Sequence, residues 1–408
     1  MKTEHKASSS NLSDSFRAIR EHPASDAHRL AYAESITKRG GPGDAERAEL
    51  IRLHTNADPS DATTREHILT LCCEERSKIA SYANIYDTHF QGGLLTEACA
   101  FSKEIVKGGD ALFNEHPALR TLHLAAVDDD LLLELAKKPW LEQIRSLSLY
   151  SSRKWDAPEF NAGLNALLTS PHLAQLDTIA FAVIRMRKDI LKTLTDSPGL
   201  KSLSEISFHA ACMRDAEIHQ LSEAPWPLRK LHLTSYPFSG TKVTPDGIRE
   251  LVRSKSFAHL HTVGLSGKPV GPSGVTALAE GPLLEDLESL SLQRTGADDF
   301  AIAAVLESEK LPKLRELWID EERIAAVARQ PGLQRIRTLH VSEDVDLRTL
   351  DPIVQSPYFS PDCRIDVWNF KKEKLSPPFF CRKDEEEKEH PANPKNNARV
   401  YGDTIRIS

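Results

Sequence analysis

From Leu119 onward the chain repeats one line of apolar and polar positions. LRTLHL at Leu119 returns as IRSLSL at Ile144, LRKLHL at Leu228 and LESLSL at Leu287, with looser versions from Leu176, Leu203, Leu260, Leu314 and Ile336. The nine starts lie 22 to 32 residues apart, about 27 on average. CRIDVW (Cys363 to Trp368) reads as a tenth, degenerate copy. Alternation in TLHLA puts Leu122 and Leu124 on one face of a strand, and Thr121, His123 and Ala125 on the other. Between strands the period turns helical, as in Leu131, Leu132 and Leu135, or Ile248, Leu251 and Val252. The same stripe recurs in Leu164, Leu167 and Leu168, and in Val275, Leu278 and Ala279. No unit can cover its own apolar face, so neighbours must stack. Leu122, Leu147, Leu231, Leu290 and Leu317 are therefore predicted to lie between a sheet and a layer of helices. Proline in HPALR, SPHLAQL, SPGLKSL and QPGLQRI ends the helix before the next strand.

A period in the twenties with this line resembles the leucine-rich repeat. GPSGVTALAEGP (Gly271 to Pro282) is similar to the loop-helix half of ribonuclease-inhibitor-like repeats, whose helices often carry G-x-x-A-L-A. The likeness covers residues 119 to 342. It implies an α/β solenoid, a horseshoe with a parallel inner sheet and outer helices, which we place with its caps at residues 92–368. GGLLTEACA (Gly92 to Ala100) reads as the strand of an atypical first unit, and FSKEIVKGGDALFNEH as its helix. The glycines of Gly267 to Pro282 lack the spacing and the terminal Lys-Ser/Thr of a phosphate-binding loop. Strand-to-helix turns account for them.

Residues 12–81 do not follow the repeat. SFRAIREH, AHRLAYAESITKRG, ERAELIRLH and HILTLCCEERSKIA each space apolar residues helically, which predicts a small all-α module. Asp26 to Leu53 resembles a bacterial repeat-companion domain that precedes leucine-rich repeats in large-genome bacteria. Arg29, Leu30, Tyr32, Ala33, Gly40, Asp44, Glu49, Ile51 and Arg52 match its line. Glu34, Ser35 and Ile36 replace an Asp-Trp-Leu, and Leu50 replaces a Phe. The resemblance implies no activity. Residues 1–11 are polar and are expected to be disordered. Residues 369–408 mix Pro, Asn and dense charge and read as a solvated tail, although the final VYGDTIRIS alternates weakly and is compatible with one more strand.

Composition narrows the function. Hydrophobic residues make up 40% of the 408 and charged residues 27%, values of a soluble globular chain. A net charge of −7 argues against broad nucleic-acid binding, which needs a basic face to displace counterions. No apolar run reaches the length of a bilayer span, and the polar N-terminus lacks the apolar core of a signal peptide, so a cytoplasmic protein is expected. The six cysteines (Cys72, Cys73, Cys99, Cys212, Cys363 and Cys381) form no C-x-x-C pair and are expected as free thiols.

No catalytic constellation is legible, so the expectation is a protein that is not an enzyme and takes no cofactor. VDDDLLLEL (Val127 to Leu135) clusters aspartates where a helix starts, where the helix dipole favours them. His123, His232 and His340 share the central outward position of three repeats, and His209 is the outward residue of another. No carboxylate or cysteine at ligand spacing accompanies them, and no metal is assigned. The outward strand face is then the candidate working surface: His123, Tyr150, His209, Lys230, His232, Glu316, Trp318, Asp320 and His340. Most of its other residues are small and polar. An outward Trp318 flanked by Glu316 and Asp320 suits a basic or amphipathic segment. The competing account is that Trp318 merely seals the C-terminal end of the stack. The expected function is a protein–protein interaction scaffold using the concave face, with another protein as partner and neither nucleic acid nor membrane. The alternative is a regulator of a partner enzyme, an inhibitor or a GTPase activator, as ribonuclease-inhibitor-like repeats also imply.

Overall fold

The computed structural model describes the chain except residues 1, 59, 152–161, 212, 235–242, 267–269, 283, 343–346, 369–397, 402–403 and 408. The described residues fall into two compact units, one within 1–152 and 162–176, the other from 177 onward.

The first unit opens with four helices, α1 (Lys2–Glu21), α2 (Asp26–Arg39), α3 (Asp44–Asn56) and α4 (Ala62–Ala83). The first helix starts at Lys2, ahead of the residue 12 at which the sequence reading began the helical module. Caps explain the boundaries. Ser25 accepts from the His28 N–H, Asp61 accepts from the Thr64 N–H, and Gly40 closes α2 in the left-handed region. The expected first-unit strand is β2 (Leu94–Phe101), followed by α5 (Ser102–Glu115). Ahead of it lies a strand the sequence reading did not foresee, β1 (Ile85–Gln91), which pairs antiparallel with β2. Gly92 and Gly93 turn this hairpin with φ of +57° and +75°, and a Cβ on Gly93 would lie 2.5 Å from the Ile51 Cα. Parallel pairing continues from β2 to β3 (Thr121–Ala125) and from β3 to β4 (Ser146–Tyr150). Helices α6 (Asp129–Leu135) and α7 (Ala162–Leu168) pack on one another. Leu94 and Ala118 belong to the same buried cluster as Ile19, Tyr32, Ala33, Ile36, Ala48 and Ile51, so the N-terminal helices and the first strands share a core.

The second unit alternates strand and helix. Its order is β5 (Thr178–Ala182), α8 (Lys188–Asp196), β6 (Glu205–His209), α9 (Asp215–Ser222), β7 (Lys230–Thr234) and α10 (Pro245–Leu251). It continues with β8 (Thr262–Ser266), α11 (Gly271–Ala279), β9 (Ser289–Ser291), α12 (Asp299–Glu307), β10 (Glu316–Asp320) and α13 (Ile324–Ala328). Then come β11 (Thr338–Ser342), α14 (Asp351–Val354) and β12 (Arg364–Trp368). Strands β5 to β12 are joined in sequence order by parallel pairing. This is an α/β leucine-rich-repeat architecture, one strand and one helix per repeat, and an all-α segment opens the chain ahead of it. The short strands β13 (Ala398–Tyr401) and β14 (Thr404–Ile407) pair with each other, and β14 lies antiparallel to β12. Most of the tail expected over 369–408 lies outside the described residues. No described helix is long and apolar enough to cross a membrane.

Each of β3 to β11 begins two residues after the start of its sequence line. Leu122, Leu147, Leu231, Leu290 and Leu317 are all 0% exposed, which fixes the apolar face against the helices. Leu317→Ala should cost ~2–5 kcal/mol by leaving a cavity in a close-packed layer. A urea-melt change below about 0.5 kcal/mol, the size of a surface effect, would reverse that face assignment.

Polar residues stitch consecutive repeats. Asp128 caps α6, and its neighbour Asp129 accepts from the Ala162 and Gly163 N–H groups at the start of α7, which accounts for two of the three aspartates there. Ser170, Ser254, Ser308 and Ser356 each donate to a carbonyl at the end of the preceding repeat's helix, on Ala136, Ser222, Ala279 and Ala328. The prolines after helices do more than stop them. Pro171, Pro198 and Pro331 each open a short 3-10 turn, where a missing N–H costs nothing.

Candidate functional site

Strand alternation sends one set of side chains away from the helices, and parallel register lines them up in rows. In the second unit one row runs Ser207, His232, Gly264, Ser291, Trp318, His340 and Asp366. Neighbouring strands sit about 4.8 Å apart, so adjacent members of the row touch.

Trp318 and His340 are such neighbours. Their rings stack with centroids 3.7 Å apart and planes 14° from parallel. Glu316, on the same face of β10, ties both: its Oε1 accepts from Trp318 Nε1 at 3.2 Å and lies 2.7 Å from His340 Nε2. The hydrogen bond from His340 holds the Glu316 carboxyl below its usual range, against the opposing effect of burial. On the far side of His340, Nδ1 is 3.6 Å from Asp366 Oδ2, and Asp366 is paired with Arg364 at 3.0 Å. His340 and Asp366 are buried, while Trp318 is only half-buried. The result is an indole fixed on a buried imidazole, with one face supported and the Glu316 carboxylate at its rim.

Other predicted members stand in different surroundings. Asp320, expected beside Trp318 as a register-setting acid, instead accepts from the Arg294 N–H through both carboxylate oxygens, at 3.0 and 2.8 Å. Arg294 has φ +56°, in the left-handed region, and Val183 (+57°) and Ala210 (+57°) take the same conformation after their strands. Those two donate to the last carbonyl of the next strand, on His209 and Thr234. At Arg294 the Asp320 side chain does that work. Lys230 is exposed and pairs with Glu205 at 3.2 Å. His232 lies over Gly264, where a Cβ would fall 2.3 Å from Nδ1, so the glycine makes room for the ring. His209 sits one strand away. Burial, with His232 beside it, pushes its pKa down to about 3.

In the first unit Tyr150 is half-buried at the end of β4, and His123 Nε2 is 3.2 Å from Glu97 Oε1. The expectation that no carboxylate or cysteine accompanies the histidines is corrected here. Register sets Cys99 directly opposite His123, and Glu97 lies two residues before Cys99 on the same strand face. Ligand atoms of Glu97, Cys99 and His123 all lie within 4.8 Å of one another. Alternation in TEACAF carried that signal, because Glu97, Cys99 and Phe101 fall on the face that bears His123. Cys99 is disulfide-bonded, which also corrects the expectation of six free thiols. Cys73 and Cys363 are free.

No family model matches the chain. No curated protein matches it either. Among solved structures, it is similar to a chain in the crystal structure of the Rad7 and Elc1 complex in yeast, at 14% identity and a TM-score of 0.41. That match covers 83% of this chain and 89% of the other.

Proposed function

We propose that this chain is a non-enzymatic protein–protein interaction scaffold. Its partner docks on the helix-free strand face of the second unit, with Trp318 as the anchor. The observation that carries the reading is the Trp318 ring, half-buried yet immobilised by stacking on His340 and by its bond to Glu316. A large side chain already ordered loses little entropy on binding, and such aromatics dominate interface energetics. Around it Ser291, Ser289 and Thr338 are small, so a partner meets few side chains that must be reordered. The Glu316 carboxylate at the rim favours a basic or amphipathic segment. Among the described residues, His340 is bonded to a carboxylate and stacked on a ring rather than aimed at a hydroxyl or thiol, which supports a binding role over catalysis.

The N-terminal helices serve in this reading as a structural companion to the first repeats. Tyr32, Asp44 and Ile51, which carry the likeness to the bacterial companion domain, are buried in that unit rather than presented to solvent. We place the work of the chain in the cytoplasm; the exposed free thiol of Cys73 fits that placement, while the disulfide at Cys99 runs against it.

A photo-crosslinking amino acid placed at Ser291 tests the reading against the same probe at the exposed Asp246 of α10. A crosslinked partner from Ser291 and none from Asp246 is the expected result. Capture from Asp246 alone would move the working surface to the helix layer.

A further inference from the structure

We propose that β1 is an interface for a second copy of this chain, held shut in the free chain by Arg76 and Asp87. β1 stands at one end of the strand order, with β2 on one side and no described strand on the other. Such an edge displays backbone donors and acceptors that invite another strand. Here the chain covers them itself. The Thr88 N–H donates to Asp87 Oδ1 at 2.7 Å, and the Thr88 carbonyl accepts from Arg76 Nη2 at 3.0 Å. Arg76 Nε also donates to Thr88 Oγ1 at 2.8 Å. A residue of an antiparallel strand turns both backbone groups to the same neighbour. With both bonded to side chains instead of β2, those of Thr88 face the outer edge. Rotating two side chains away therefore opens it, and the ladder to β2 stays whole.

The strand itself points to the occupant. IYDTHFQ is nearly symmetric about Thr88, with an acid on one side, an imidazole on the other and an aromatic beyond each. Asp87, Thr88 and His89 pair regularly with Cys99, Ala98 and Glu97, and the register shifts of β1 lie outside these three. A two-fold axis beside Thr88 sets a second copy antiparallel, so that the two Thr88 residues exchange both N–H···O bonds. The same register puts Asp87 opposite His89 of the second copy, and His89 opposite its Asp87. Carboxylate faces imidazole twice, and such cross-strand pairs stabilise a sheet. His89 is exposed, and Asp87 exchanges the Thr88 N–H for it as a donor. The interface lies in the first unit and does not depend on the role of Trp318.

The test is sedimentation velocity of the full chain over a concentration series, in a Cys73→Ser background so that this exposed thiol links no two copies. Arg76→Ala should dimerise at least about tenfold more tightly than the parent chain. Adding His89→Asp, which sets like charges across the axis, should return it to monomer. Exchanging the pair, Asp87→His with His89→Asp, should restore the dimer. Amide hydrogen exchange locates the contact: the Thr88 N–H of Arg76→Ala should exchange more slowly in concentrated than in dilute solution. If Arg76→Ala loses its fold, Arg76→Lys, which keeps one donor and loses the two-armed contact, carries the same comparison. A folded Arg76 variant no more dimeric than the parent, a dimer that survives His89→Asp, or Thr88 exchange independent of concentration would each overturn the proposal.

Discussion

Arg47→Ala is expected to lower the stability of the first unit by about 3–5 kcal/mol, because it leaves buried carboxylates without their cation. Arg47 is 5% exposed and lies between Glu75 (3%) and Asp44 (1%), with Glu115 at the rim. Its Nη2 is 2.7 Å from Glu75 Oε1 and 3.1 Å from Glu115 Oε2. Burial works against the Arg47 charge, but Glu75 and Glu115 outweigh it and hold the proton more tightly than in water. Asp44 also binds Arg39 and the Gly41 N–H, and these keep it ionised despite burial. Truncating the arginine leaves Glu75 without its cation in the buried pocket that Tyr32, Glu115 and His116 also line. Arg47→Met with Glu75→Leu removes both charges and should recover most of the loss. A thermal melt in which Arg47→Ala unfolds within about 2 °C of the wild type would show that the network is not what ties α3, α4 and α5 together.

The second large effect is with pH. His116, His209 and His232 all have pKa values lowered from 6.5 in the fold, chiefly by burial. The unfolded chain takes up these protons as pH falls through about 6.5, and the folded chain does not. Their contribution is therefore fully present above that pH and is lost below it, at ~1.4 kcal/mol per pH unit for each group. The window is longest for His209, whose pKa is about 3. Glu316 and Asp44, both lowered, add losses of the same sign only below their ordinary carboxylate range. Exposed His219 is raised by Glu250 and acts in the opposite direction. The urea midpoint should be flat above pH 7 and fall steeply from pH 6.5 to 5, with His116→Gln flattening the fall. A midpoint unchanged over that interval would mean these imidazoles are hydrated in the fold.

Much of this architecture is legible in the sequence, because a repeat writes its strand many times over. The two-residue offset from Leu119 to Thr121 holds to Ile336 and Thr338, and alternation alone puts Leu317 inward and Trp318 outward. What alternation does not give is the neighbour across the ladder. Asp320 and Trp318 read alike as outward residues, yet Asp320 bonds a left-handed backbone 26 residues earlier. His340 gains Asp366 from a degenerate line whose outward face carried no obvious meaning. His123 gains Cys99 from a strand before the regular repeat. Strand β1 was invisible because its register shifts at Ile85/Asp87 and His89/Phe90 break the period of two. The serine rungs were missed because each Ser sits beside the Pro or turn that seemed to explain the helix end.

Among the described residues, two aromatics of the second unit compete to be the place where a partner docks. Phe300 stands on the helix layer at 86% exposure, and Trp318 stands half-buried on the strand face. A free Phe must be ordered on contact, whereas Trp318 is already held by His340 and Glu316. The deciding measurement is the affinity of the captured partner for wild type, Trp318→Ala and Phe300→Ala, with a melt of each variant alongside. The account predicts at least about a tenfold loss of affinity for Trp318→Ala at a nearly unchanged melting temperature, and no loss for Phe300→Ala. If Trp318→Ala falls in stability by several kcal/mol while its folded fraction binds as well as wild type, Trp318 is packing and not an anchor, and the account is contradicted.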